Sequence, residues 1–104
     1  MKVTAITTWE GTPAALLLLT EASRAAAEIH RSCGAKNPRL LQSMVGGNPA
    51  VMNYAMDFDS LEEYTVFIGK VRENGWWEET AKAVANAYPD LKMAGQTLLA
   101  NAIE

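Results

Sequence analysis

Few side chains in this sequence could do chemistry, and His30, the only histidine, is the first to weigh. It falls near the C-terminal end of a long helical stretch, on the flank of that helix. The partial negative charge of a helix end favours the protonated imidazole there. His30 is a candidate general base at the edge of a pocket. The simpler reading is a surface histidine complementing the helix end. No Asp or Glu stands four residues away from it, so no metal site is expected. Cys33 is the only cysteine, which excludes an internal disulfide and a cysteine zinc cluster; it reads as a small buried hydrophobe. Ser23, Ser32, Ser43 and Ser60 have no nucleophile context. Gly46-Gly47 lies between strands and opens no helix, so it is not a phosphate cradle.

Amphipathic aromatics are the remaining resource. Trp9, Tyr54, Trp76, Trp77 and Tyr88 combine an apolar ring with a polar edge, which suits a flat organic ligand. Trp77 and Tyr88 share a helical face and are expected in the core; Trp76 lies on a different face. Asn53, Gln42 and Gln96 are strand amides able to meet a pocket. Trp9, Asn53, Tyr54 and Trp76 are therefore the candidate substrate-binding residues, with His30 the candidate catalytic one. Asp57 and Asp59 flank a strand end and read as turn and cap residues rather than an acid pair.

The elements that must position these residues follow from patterning. Residues 2–9 are β-branched and roughly alternating, a strand. Thr12 offers an N-cap and Pro13 a first helical position for a helix over 13–33, with Gly34 to stop it. Its periodicity buries Ala15, Leu18, Leu19, Ala22, Ala26, Ile29 and Cys33, an alanine-rich face that packs very closely or leaves room beneath it. Leu17 falls on the polar side. Lys36-Asn37-Pro38 reads as a connector. Strands are expected over 39–45 and 50–58, joined by Gly46-Gly47-Asn48-Pro49. Ser60 with Glu63 forms a capping box for a second helix that ends at Asn74-Gly75. A third, shorter helix spans Trp76–Ala87, with Trp77, Ala81, Val84 and Tyr88 on one face. The last strand is expected over 93–103.

The order is βαββαβ with an extra short helix before the last strand: an α+β, ferredoxin-like chain with a four-stranded antiparallel sheet and helices on one face. The 104 residues form one domain, 1–104. A sheet with water on its second face should alternate cleanly between apolar and polar. These strands do not. Val51, Asn53, Ala55 and Asp57 oppose Met52, Tyr54, Met56 and Phe58, so even the more polar set carries two apolar residues. The chain has no further element for the second face, so a second copy is expected to cover it, giving a homodimer through the sheet.

This layout resembles the dimeric α+β barrel superfamily, whose two sheets close into one barrel with helices outside. The likeness rests on the Val3–Trp9 strand, the Gly11-Thr12-Pro13 helix entry, and Met56-Asp57-Phe58-Asp59-Ser60-Leu61-Glu62-Glu63-Tyr64. The last is a strand running into an acidic, capped helix, as in antibiotic-biosynthesis-monooxygenase-like and NIPSNAP-like domains. Haem-degrading members use a histidine on a later helix; here the later helices carry Trp76 and Trp77 but no histidine. The resemblance instead implies an enzyme without a cofactor, monooxygenase-like or cyclase-like, acting on a hydrophobic small molecule in a pocket between sheet and helices.

Composition limits the alternatives. A net charge of −3 leaves no basic footprint for nucleic acid. The longest apolar run, Ala14–Leu19, is far short of a membrane span. Met1-Lys2-Val3-Thr4 enters a strand pattern directly rather than the apolar core of a signal peptide. With one cysteine, this predicts a soluble, cytoplasmic protein. Two further functions compete with the enzyme: a non-catalytic ligand-binding or stress-related dimer, and a subunit that recruits another protein through exposed residues such as Leu17.

Overall fold

The computed structural model describes residues 1–103. The elements are β1 (Val3–Gly11), α1 (Pro13–Ser32), β2 (Lys36–Gln42), β3 (Val51–Phe58), α2 (Leu61–Glu73), α3 (Gly75–Ala87) and β4 (Leu91–Ala100). The strands pair antiparallel in the order β2-β3-β1-β4, a ferredoxin-like α+β fold with the expected extra helix. Several strand ends depart from expectation: β1 runs on to Gly11, β4 starts at Leu91 and ends at Ala100 rather than spanning 93–103, and both ends of β2 shift. Lys36-Asn37-Pro38 belongs to β2, with a register irregularity between Lys36 and Arg39. β2 is an edge strand, which tolerates a proline that cannot donate to a ladder. Residues 43–45, expected in that strand, lie in the β2–β3 loop instead. That loop turns through Gly46 (φ 74°) and Gly47 (φ 71°), a backbone that favours glycine.

α1 begins as expected, with the Thr12 hydroxyl accepting from the Ala15 amide at 3.2 Å. Its C-terminus closes in a Schellman motif. Gly34 has φ 111°, its amide donates to the Arg31 carbonyl, and the Ala35 amide donates to the His30 carbonyl at 3.0 Å. The backbone of His30 is therefore held by the same motif that ends the helix. Gly34→Ala places a Cβ on a positive φ, and should cost about 1 kcal/mol in urea denaturation.

The core lies between the sheet and the helices α1 and α2, centred on Phe58, Phe67, Val71, Val3 and Met56. α2 is capped by Ser60, whose hydroxyl accepts from the Glu63 amide at 3.1 Å. Glu63 reaches back to the Asp59 amide, one residue earlier than in the usual box.

The faces of α1 and α3 are rotated from expectation. Leu16, His30 and Cys33 are buried, Thr20, Ser23 and Ala27 are half-buried, while Leu18 is 71% exposed and Ala22 is exposed. Leu17 is exposed as anticipated. Six consecutive apolar residues, Ala14–Leu19, point all round the helix and leave its phase unfixed. Small side chains at 23 and 27 leave a groove between the helix and the edge strand. On α3, Trp76, Thr80, Val84 and Ala87 are half-buried, whereas Trp77 is exposed and Tyr88 is 65% exposed, so neither is core. Arg72 and Lys92 lie over those two rings.

The second sheet face is open. Register places Thr4, Ile6 and Thr8 there with Asn53, Ala55 and Asp57, flanked by Leu41 and Leu99. It is less purely apolar than expected. Asp57 accepts from Thr4 at 2.9 Å and pairs with Arg39 at 3.0 Å, so its charge is neutralised within the face.

Candidate functional site

Tyr54 projects from β3 toward the helices, and His30 comes down on it from the last turn of α1. The Tyr54 hydroxyl and His30 Nδ1 share a 2.7 Å hydrogen bond. His30 is 8% exposed and Tyr54 6%, so the expected surface histidine is instead a core residue. Three rings enclose the imidazole edge-to-face: Tyr54 at 5.2 Å, Phe67 at 5.7 Å and Trp76 at 4.9 Å between centroids.

This setting decides protonation. Burial lowers the pKa of His30 to about 4, which outweighs any favourable charge at the helix end. Burial also raises Tyr54 to about 12, against a weaker opposite pull from Arg31. Both groups are neutral near pH 7. A neutral imidazole can be protonated on either nitrogen. When the Tyr54 hydroxyl donates to Nδ1, its lone pairs are free to accept a proton from a ligand. When Nδ1–H donates to the tyrosine oxygen, the hydroxyl hydrogen is free to donate. One tautomer shift converts the tyrosine from acceptor to donor.

Tyr54 reaches a groove of about 190 Å³ between α1 and the edge strand β2. Thr20, Ser23, Arg24 and Ala27 form one wall, and Pro38, Arg39 and Leu40 the other. Thr20 spends its hydroxyl on the Leu16 carbonyl and the Met52 sulfur. A larger groove of about 440 Å³ lies elsewhere, lined by Met1, Val3, Ser60, Leu61, Glu62, Leu98 and Ala100. It is apolar and shares no residue with the His30–Tyr54 pair. The smaller groove is the better candidate site, because Tyr54 lines it together with Ser23 and Arg24.

Of the residues singled out in the sequence, the structure brings together His30, Tyr54 and Trp76. Trp9 is half-buried against the core, opposite Met52 in register, and is absent from the groove lining. Asn53 is on the wrong face: neighbours along a strand point to opposite sides, and Asn53 accepts from the Thr8 hydroxyl at 2.7 Å on the open face. Asp57 and Asp59 are engaged by Arg39 and Lys36 and form no acid pair. Sequence reasoning missed Thr20, Ser23, Arg24, Ala27 and Phe67 as part of the site. A signal was present: residues 20, 23, 27 and 30 lie on one helical face at spacings of three, four and three. Among the described residues, no group of three or more His, Cys, Asp or Glu could hold a metal ion. Nor is any of their helices long and apolar enough to cross a membrane.

Comparison with known proteins places the fold. No family model matches the chain, and no curated protein matches it in sequence. Solved structures do match. A dimeric ferredoxin-like protein from an uncultured marine organism superposes with TM-score 0.76 at 12% identity, covering 99% of this chain and 97% of that one. A variant of SnoaB, a cofactor-independent oxygenase from Streptomyces nogalater, gives 0.65 at 14%, covering 99% and 95%. A NIPSNAP family protein from Agrobacterium tumefaciens gives 0.70 at 12%, covering 97% and 86%. The chain thus shares its fold with these proteins.

Proposed function

We propose that this chain is the protomer of a small homodimeric enzyme, monooxygenase-like and cofactor-independent, acting on a hydrophobic molecule that bears an acidic hydroxyl. The observation that carries the reading is the buried His30–Tyr54 hydrogen bond beside a groove. The likeness to a cofactor-independent oxygenase supports it at the level of fold.

For a phenolic substrate the chemistry balances without any other reactant than dioxygen. The ring carbon forms a bond to O2, giving a hydroperoxide. The O–O bond then breaks, the carbon loses its hydrogen, and water leaves. One oxygen atom ends in the quinone carbonyl and the other in water, and all four electrons come from the ring. Tyr54 accepts the substrate proton while passing its own to His30 Nδ1, and returns a proton when water leaves. Oxygen uptake with a panel of phenols, in buffer containing a chelator, tests this. Uptake with stoichiometric quinone is expected; binding without uptake would contradict it.

One observation favours a second reading, a non-catalytic ligand-binding module. An imidazole lowered to about 4 is a weak base. In that case the pair serves only to orient a bound hydroxyl.

A second copy would cover the open sheet face. Ile6 stands near its middle, between Ala55 and Thr97 in register. Ile6→Lys should convert the dimer to monomer in sedimentation velocity, since burying an unpaired ammonium costs several kcal/mol.

A further inference from the structure

Neither groove is lined by His30 itself. Tyr54, Phe67 and Trp76 stand 4.9–5.7 Å from it, ring to ring, and fill that side of the interior. A ligand can therefore meet the pair only at Tyr54, from the groove. That groove holds about 190 Å³. An apolar cavity of about 150 Å³ accommodates benzene, whereas sites for drug-sized ligands run to about 300–1,000 Å³. The walls add chemistry. Among the described residues, the Ser23 hydroxyl makes no hydrogen bond, unlike its neighbour Thr20. Arg24 has only a loose, exposed ion pair with Glu21 at 3.6 Å, which gives little stability and leaves the guanidinium free to turn.

We propose that the groove between α1 and β2 admits a single-ring phenol or dihydroxybenzene. Its ionisable hydroxyl meets Tyr54, a second polar group meets Ser23, and Arg24 closes over the anion. This deepens the enzyme reading above and rests on it for turnover, but not for binding. Arg24 and Ser23 then determine specificity, and Ala27 sets the size limit because its methyl group leaves the space in which the ring lies.

The test is a ring-size series of hydroxylated aromatics, of one, two and three rings, measured by calorimetry and by oxygen uptake. Single-ring compounds should bind and turn over with kcat/KM roughly 100-fold above three-ring ones. Arg24→Gln should raise KM about tenfold with kcat nearly unchanged. Ala27→Leu should abolish single-ring binding, and Ser23→Leu serves as a second groove-filling variant should the first fail to fold. Equal or better use of three-ring compounds would overturn the proposal. So would unchanged single-ring binding in a folded groove-filling variant. If single-ring compounds bind in a groove-dependent way without oxygen uptake, the groove assignment stands and the oxygenase reading fails.

Discussion

Tyr54→Phe should lower kcat with a phenolic substrate by roughly 100-fold, the loss that follows removal of one preorganised donor at a developing charge. The variant keeps the ring, which packs in the core cluster with Met56 and Phe67. It removes only the hydroxyl that is Nδ1's partner, on a residue that lines the groove. Turnover and stability should therefore separate. Losing the hydroxyl leaves a buried ring nitrogen unpaired, at about 1–3 kcal/mol. Adding His30→Phe removes the orphaned nitrogen, so the double variant should recover part of that stability and none of the activity. Urea midpoints beside turnover numbers check both. A Tyr54→Phe enzyme with full kcat would remove the tyrosine from the mechanism.

Acid should weaken this fold at a higher pH than its carboxylates require. His30 has a folded pKa of about 4, below its unfolded value near 6.5. Between those values the unfolded chain binds a proton that the folded chain refuses. Stability therefore falls as pH drops, and the histidine's contribution is complete only above the unfolded pKa. From pH 7 to pH 5 the loss amounts to about 2 kcal/mol. Asp57 and Asp59 do not interfere in this window. Burial pushes Asp57 up, but hydrogen bonds from Thr4, Arg39 and Asn37 outweigh it and hold it below the ordinary value. The Lys36 ammonium lowers Asp59. Their contributions are lost only at lower pH. His30→Phe should flatten the curve between pH 5 and 7, as read by urea denaturation at each pH. A wild-type curve already flat across that interval would mean that His30 is solvated.

Much of the fold was legible because its punctuation is chemical. Thr12-Pro13, Gly34, Ser60 with Glu63, and Asn74-Gly75 mark helix ends that the structure keeps. The faces of the helices were harder to read. A helix with six successive apolar residues has no unique buried side, and the side that packs is chosen by the sheet, which accepts Thr20, Ser23 and Ala27 against Met52, Tyr54 and Leu40. That rotation of α1 is why His30 is core rather than surface. Tyr54 and Trp76 could be proposed from residue type alone. Asn53 could have been rejected from strand parity, since it and Tyr54 are adjacent. The hydrogen bond between residues 24 positions apart was out of reach, because it depends on the crossing of α1 over β3.

The pairing of His30 with Tyr54 beside a ligand groove is the central claim, and a single histidine makes it directly measurable. Nitrogen chemical shifts of the His30 ring, followed by NMR as a function of pH with and without catechol as the single-ring ligand, report both its proton and its partner. The account predicts a midpoint near 4 in the free protein, a neutral ring with Nδ1 hydrogen-bonded at pH 7, and a shift on ligand binding that disappears in Tyr54→Phe. A midpoint near the ordinary 6.5, unmoved by ligand, would contradict it.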